Sequence, residues 1–288
     1  MSFRLVLPKR RAAPVVVEVP HAGVQIPASI AAELDCTPRD VLRDSDTYVD
    51  ELVAQTPDTG ATLLVSDVSR YVVDLNRTER DIDALSVPSL VGARCPHGAA
   101  GVCDHAPRGV IWRESTEGYN LLRQPLSEIA YRSRIDQYYA PYHRALAARL
   151  SELHAMHGFV MLVSVHSMPG YGRGPDGSRV RRADIVPGTR GQTTAHRDVI
   201  HVVDSHFRAA GLSVRHDDPY RGGATTARWG RVSDGFHAVQ IELNRALYLD
   251  ESSLHRRRDG QRWLQQLCFE LIERLTHVDT RSVLSARS

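Results

Sequence analysis

Three side chains suited to acid–base or metal chemistry lie at or near the ends of apolar runs. His21 follows the run VVVEV and a proline, His166 follows FVMLVSV, and Glu242 lies near the end of AVQIELNR. Short β-branched runs of this kind are typical of buried strands. If these strands are parallel neighbours, the three side chains converge on one edge of a sheet, where ligands collect in open α/β sheets.

Two histidines and a carboxylate are the protein ligands of many catalytic zinc sites, which keep a further position open. A separate carboxylate can then take a proton from the attacking water. His21 taken alone is more typical of a packed turn residue than of a ligand. The repeated placement of such residues at strand ends favours a functional site.

The segment RYVVDLNR contains residues suited to binding an anionic substrate. Asn76 and Arg77 are adjacent, and they offer an amide donor and a planar guanidinium to a carboxylate. Arg70 can face a developing oxyanion. The alternative is that Asp74 and Arg77 form a surface ion pair.

The order of elements predicts one α/β domain over residues 1–288, with a mostly parallel sheet between helices on both faces. RYVVDLNR and LSVRH are predicted to be strands. A helix is expected from about Pro38, where Thr37 can cap. Helical patterns also cover Gly118–His157, with breaks near Pro125 and Pro141, and Glu251–Thr276.

The composition excludes several classes of protein. The chain has 288 residues, 24% of them charged, and a net charge of +2, which argues against a nucleic-acid binder. The segment MSFRLVLPKRRAAP does not have the pattern expected of a secretory signal, and no apolar segment is long enough to span a membrane. The four cysteines are expected to be reduced thiols in the cytoplasm, and the protein to be a monomer or a small homo-oligomer.

Residues 84–113 are predicted to form a loop insertion near the site. Within it, Cys95, His97, Cys103 and His105 are soft ligands in a short stretch. They could hold a second, structural zinc, although the spacing is C-x-H rather than the common C-x2-C. The alternative is a polar loop that covers the active site.

Six motifs together resemble the N-formylglutamate amidohydrolase family: VPHAG, SDTYVDEL, SRYVVDLNR, VHSMPG, PYRGG and QIELNRALY. They occur in that family's order and span most of the chain. The resemblance implies a fold like that of zinc carboxypeptidases and aspartoacylase, with a three-layer arrangement around a mixed sheet. It also implies hydrolysis of an N-acyl amide beside a carboxylate, as in the release of formate and glutamate from N-formylglutamate.

The resemblance assigns the metal ligands and the base. His21 and His166 match the two metal histidines, and Glu242 resembles the general base. The carboxylate ligand of the carboxypeptidase relatives has no counterpart three residues after His21. Asp46 is the best match for this ligand, with Asp50 as the alternative.

Substrate contacts carry over in the same way. Asn76 and Arg77 resemble the pair that binds a substrate carboxylate, Arg70 resembles the oxyanion arginine, and Arg228 is a further candidate contact. The sequence departs from the family pattern at Ser164, where an Asp is usual two residues before the second histidine. It also departs at residues 189–191 and at Asp218, so the identity of the acyl amide stays open.

We therefore expect a divalent-metal amidohydrolase with zinc as the first candidate, although manganese, iron and cobalt suit the same ligands. Its partner would be a small N-acyl amino acid. The alternatives are an inactive protein that binds N-acyl amino acids, which the serine at position 164 favours, and a zinc carboxypeptidase acting on peptides.

Overall fold

Strands account for the centre of the fold. The computed structural model describes residues 2–91, 107–174 and 176–278. Its strands are Phe3–Val6 (β1), Val15–Val19 (β2), Thr62–Ser66 (β3), Val160–Met168 (β4), Tyr171–Arg173 (β5), Arg179–Arg181 (β6), Ile185–Gly188 (β7), Phe236–Asn244 (β8), Leu249–Asp250 (β9) and His255–Arg256 (β10).

Helices occupy most of the connections. The α-helices are Ala28–Ala31 (α1), Pro38–Asp44 (α2), Val49–Leu52 (α3), Pro88–Val91 (α4), Glu128–Arg134 (α5), Ala140–His157 (α6), Arg197–Ala209 (α7), Ala224–Trp229 (α8) and Arg258–Thr276 (α9). Short 3-10 turns cover Thr56–Thr59, Val232–Asp234 and Arg245–Leu247, and a π-helical turn covers Ile135–Tyr139.

The main sheet is mixed and mostly parallel, in the order β1-β3-β2-β4-β8-β7. β2 pairs in parallel with β3 and β4, β4 pairs in parallel with β8, and β7 is antiparallel to β8. The prediction of a mixed, mostly parallel α/β sheet is confirmed. The three strands predicted to carry chemistry are also parallel neighbours, as the convergence of their ends requires.

Two compact units interleave along the chain. The first takes in residues 2–4, 20–47, 66–91 and 107–146, and the second takes in 5–19, 48–65, 147–174 and 176–278. The single domain over 1–288 stays a prediction. Among the described residues, no helix is long and apolar enough to cross a membrane.

In the second unit, one face of β4 and β8 packs against helices. A small apolar cavity marks this interface, and its lining comes from both strands, from α7, from α9 and from Val53. The lining residues are Val53, Val163, Val165, Phe207, Ile241, Leu243, Cys268, Leu271 and Ile272.

The opposite face of β4 and β8 carries polar side chains. Because successive side chains of a strand point to opposite faces, Ser164 and His166 lie on the face away from Val163 and Val165. Gln240 and Glu242 lie on that same face of β8, and the register pairs Ser164 with Gln240 and His166 with Glu242. This alternation separates an apolar core from the predicted site.

Two predicted strands are wrong. The segment RYVVDLNR forms turns and irregular backbone although most of it is buried. LSVRH contributes only an isolated bridge, between Ile185 and Val214. Both segments are apolar and short, and such runs do not distinguish strands from other buried segments.

Two helix predictions also need correction. The helical run begins at Glu128 rather than Gly118, and it continues to His157 through Pro141, with the π-helical turn just before the proline. A π-helical turn changes the hydrogen-bonding pattern where the proline nitrogen has no hydrogen to donate. The closing helix begins at Arg258 rather than Glu251, because the turn after β9 and the strand β10 occupy residues 251–256.

The predicted helix near Pro38 is confirmed as α2, with Thr37 and Asp40 forming the capping box. The predicted loop 84–113 contains α4, and residues 92–106 lie outside the described part of the chain. The second zinc site predicted at Cys95, His97, Cys103 and His105 therefore also lies outside it.

Candidate functional site

The backbone after β2 places His21 against the turn that follows β3. Gly23 lies so close to this turn that an added Cβ would be 2.4 Å from the carbonyl carbon of Asp67. Gln25 donates its backbone N–H to the carbonyl of Asp67, and Ser69 donates to the carbonyl of Gln25. The contact explains why a glycine follows the histidine so closely, and it brings His21 near the RYVVDLNR segment.

Asp74 orients the ring of His21. The Nε2 atom of His21 lies 2.8 Å from Oδ1 of Asp74, and both side chains are buried. A carboxylate only accepts, so Nε2 carries a hydrogen in this contact, which is shorter than the 3.3 Å contact of the same nitrogen with Nη2 of Arg70. In a neutral ring Nδ1 then presents its lone pair. Ligating histidines in metal sites are held in the same way by an outer carboxylate.

Asp74 is also the counter-charge of Arg70. Its Oδ2 accepts from Nη2 of Arg70 at 3.0 Å and from Nε1 of Trp112 at 2.9 Å, and the guanidinium lies 4.4 Å from the Trp112 ring centre. Burial would raise the pKa of the Asp74 carboxyl, but His21 and Arg70 outweigh it and hold that pKa well below its usual value. Burial likewise opposes the Arg70 charge, yet Asp74 and Asp46 keep the guanidinium pKa above normal.

Asp46 lies just beyond the end of α2. Its backbone N–H donates to the carbonyl of His21 at 2.9 Å, which ties the two segments together. Thr47 bonds the carbonyl of Leu42 and the hydroxyl of Ser45, so the turn around Asp46 is fixed. The Oδ2 atom of Asp46 lies 3.6 Å from Nδ1 of His21, the ring nitrogen that does not contact Asp74.

His166 and Glu242 lie side by side on β4 and β8. Each is held by the polar residue two positions earlier on its own strand. Nε2 of His166 lies 3.0 Å from Oγ of Ser164, and Nε2 of Gln240 donates to Oε1 of Glu242 at 2.7 Å. His166 was predicted to follow its strand, but pairing with β8 continues to Met168, so it lies within the strand.

His21, Asp46 and His166 form a buried group in which one ligand atom from each lies within 4.8 Å of the other two. Two ligand atoms about 2.0–2.2 Å from a tetrahedral ion are about 3.3–3.6 Å apart, a spacing that the His21–Asp46 contact fits. Two imidazoles and a carboxylate suit zinc and several other divalent ions. The group could therefore bind a metal, and it includes Asp46 rather than Asp50.

The predicted substrate residues are differently exposed. Asn76 is 9% exposed and its backbone N–H donates to Asp74, whereas the side chain of Arg77 is exposed and its carbonyl accepts from Tyr139. Arg228 is exposed on α8, beside the ring of Trp229. Their roles in substrate binding stay predictions.

Sequence reasoning missed the groups that hold these side chains. Asp74 was considered as half of a surface pair with Arg77, but Asp74 is fully buried, so that alternative is wrong. The signal was a lone carboxylate inside the apolar run YVVDL, because buried charges require partners. Trp112 and Gln240 gave no comparable signal, since their contacts depend on tertiary packing.

Comparison with known proteins identifies the chain's relatives. A family model described as N-formylglutamate amidohydrolase matches residues 13–249. An N-formylglutamate deformylase of Pseudomonas aeruginosa is 28% identical over 248 residues, which cover 85% of each protein. One of Pseudomonas putida is 25% identical over 256 residues, covering 83% of each.

A solved structure supports the same relationship. The crystal structure of an N-formylglutamate amidohydrolase from Ralstonia eutropha JMP134 matches with a TM-score of 0.84 and 29% identity. The match covers 96% of this chain and 97% of that one. The described fold is thus shared over nearly the whole length of both chains.

Proposed function

The chain belongs to the N-formylglutamate amidohydrolase family, and we propose that it is a metal-dependent hydrolase of the amide bond in an N-acyl amino acid. N-formylglutamate is the first substrate to test, because two curated relatives are named N-formylglutamate deformylases. The products would be formate and glutamate. The observation that carries the proposal is the buried group of His21, Asp46 and His166.

His21, Asp46 and His166 would hold the cation. Asp74 supports this assignment by fixing the hydrogen of His21 on Nε2, which leaves Nδ1 as the ligand atom. When bound, a divalent cation would polarise the acyl carbonyl and lower the pKa of the attacking water. Zinc is the first candidate for this donor set.

Glu242 would act as the general base. It is nearly fully buried, and it is paired in register with His166. Its carboxylate takes a proton from the water as oxygen attacks the acyl carbon. It then returns that proton to the leaving nitrogen as the C–N bond breaks, so the amine departs neutral.

Arg70 would stabilise the tetrahedral oxyanion. Its hydrogen bonds to Asp74 and to the Asp44 carbonyl use three of its five N–H groups, and Nη2 also lies 3.3 Å from Nε2 of His21. These contacts leave the second N–H of Nη1 for the oxyanion. The guanidinium is held rigidly by Asp74 and Trp112. Donors fixed before the reaction are the most effective for a developing charge.

Asn76 and Arg77 would bind the α-carboxylate, with Arg228 as a further contact. A guanidinium binds a carboxylate through two parallel hydrogen bonds. The hydrogen bond from Tyr139 to the Arg77 carbonyl restrains the backbone at this position. Binding there would orient the scissile amide for attack.

Replacement of Glu242 by Gln tests the proposed mechanism. We expect Glu242→Gln to lower kcat for N-formylglutamate about 100- to 10,000-fold, since the base is lost. Its metal content and melting temperature should match those of the wild type, because an amide can keep the contact with Gln240. Deformylation is followed by formate release, and metal by elemental analysis.

An unchanged rate in Glu242→Gln would remove Glu242 from the mechanism. The His21→Ala, His166→Ala double variant is the control for metal content, and it should lose both metal and activity. A metal-loaded wild type that binds N-formyl amino acids without turning them over would instead be a binding protein.

A further inference from the structure

A buried polar row crosses three neighbouring strands on the sheet face that carries His166 and Glu242. The register pairs Glu18 of β2 with Ser164 of β4, and Ser164 with Gln240 of β8. Register partners in a parallel sheet lie on the same face, in strands about 4.7–4.9 Å apart. Glu18, Ser164 and Gln240 therefore form one row on the face that also carries His166 and Glu242.

Two members of this row support a functional side chain. Ser164 contacts Nε2 of His166 at 3.0 Å, and Gln240 donates to Glu242 at 2.7 Å. Each supporting residue is two positions before the residue it holds, which is the repeat of one face of a strand. The row thus acts as a supporting layer for the residues above it.

Glu18 is the charged member of the row. It is 0% exposed, and the other residues of β2 are the valines Val15, Val16, Val17 and Val19, all of them likewise buried. A buried carboxylate is unfavourable unless positive charge or hydrogen bonds compensate it. In the row, Glu18 is next to Ser164, the residue that contacts His166.

We propose that Glu18 is a positioning residue that supplies the negative charge on the His166 side of the metal site. The inference rests on the proposed metal-dependent function. His21 receives its carboxylate directly from Asp74. His166 instead contacts a hydroxyl, and the adjacent position in the same row carries the carboxylate.

This arrangement has a definite electrostatic effect. The Glu18 charge orients the Ser164 hydroxyl dipole, so that the oxygen lone pairs face Nε2 of His166. That orientation favours a hydrogen on Nε2 and leaves Nδ1 to bind the cation. The charge also attracts the cation through a buried, low-dielectric path.

The test compares metal affinity in two variants of the row. Glu18→Gln keeps the shape of the side chain and removes its charge. The exchange variant Glu18→Ser, Ser164→Asp moves the carboxylate one strand along the row. The zinc dissociation constant is measured by competition with a chelator, the Co²⁺ absorption spectrum reports ligand geometry, and the melting temperature of the metal-free protein reports folding.

We expect Glu18→Gln to weaken zinc binding about 10- to 100-fold and to alter the Co²⁺ spectrum. The exchange variant should recover affinity to within a few-fold of the wild type. The control is Thr62→Val, which removes the acceptor for Arg149 in the same sheet. It should lower the melting temperature of the metal-free protein and leave the zinc dissociation constant unchanged.

Equal zinc affinity in the wild type and Glu18→Gln would overturn this inference and leave the proposed function intact. If Glu18→Gln loses zinc affinity and the exchange variant does not recover it, the inference is also overturned. The negative charge of the row would then not be the cause of the lost affinity. If Glu18→Gln does not fold, the affinity of the exchange variant decides. A wild type that binds no metal would overturn the proposed function, and this inference with it.

Discussion

At the scale of single residues, the candidate site depends on side chains that orient other side chains. Asp74 accepts hydrogen bonds from His21, Arg70, Trp112 and the backbone of Asn76. One carboxylate therefore fixes the ring nitrogen offered by a proposed ligand and the position of a proposed oxyanion donor. Changing it should affect metal binding and folding together.

Replacement of Asp74 by Asn is predicted to weaken metal binding about 10- to 100-fold, because the outer carboxylate of His21 is lost. It should also lower the free energy of unfolding by about 3–5 kcal/mol, since the partly buried Arg70 loses its counter-charge. The measurements are a chelator competition and a urea titration.

Asp83→Asn is the matched control for this prediction. Asp83 is another buried carboxylate, and it accepts hydrogen bonds from Ser86 and Arg113. This control should lose stability and keep the zinc dissociation constant of the wild type. Equal losses of zinc affinity in the two variants would mean that Asp74 acts on the fold rather than on His21.

At the scale of elements, the strands that carry the site could be predicted from the sequence and their surroundings could not. The runs VVVEV, FVMLVSV and AVQIELNR are long enough in apolar residues to indicate buried strands, and β2, β4 and β8 confirm them. RYVVDLNR is equally apolar, but its backbone hydrogen-bonds to side chains distant in the sequence. Arg134, for example, donates to the carbonyls of Tyr71 and Val72. Such long-range contacts leave no local periodicity.

The packing of α7 on α9 gives a prediction about pH. The Nε2 atom of His206 donates to the carbonyl of Leu267, and Nδ1 accepts from Arg274, so the ring is satisfied in its neutral form. Burial lowers the pKa of His206 below its ordinary value of 6.5, and the charge of Arg274 adds to this effect, although the bond to Leu267 and the charge of Glu270 oppose it. Because the unfolded chain then binds the proton more readily, His206 lowers the stability as the pH falls below 6.5.

His206→Gln should reduce this pH dependence, since a neutral amide can make both hydrogen bonds without titrating. We expect its melting temperature to fall less than that of the wild type between about pH 7.5 and about pH 5.5. The control is His201→Gln, which changes an exposed residue of the same helix and should follow the wild-type profile. Parallel profiles for wild type and His206→Gln would exclude this histidine as a source of acid sensitivity.

At the scale of the whole molecule, the proposed ligands come from segments far apart in the chain. His21 follows β2, Asp46 follows α2, and His166 lies in β4. An unfolded chain does not hold these residues together, so the metal binds only the folded protein. The free energy of metal binding therefore adds to the free energy of unfolding. A metal held at about 100 times its dissociation constant adds about 2.7 kcal/mol to stability.

Removal of the metal by a chelator should therefore lower the melting temperature by about 5 °C or more in a protein of this size. Adding zinc back should restore it, and the His21→Ala, His166→Ala variant should respond to neither treatment. Calorimetry measures all three samples. Identical melting temperatures of the chelated and the zinc-loaded wild type would mean that the three residues bind no ion in the folded protein. The proposed hydrolytic mechanism would then lack its Lewis acid. A shift confined to the wild type would tie the metal to these residues, whatever the acyl group of the substrate.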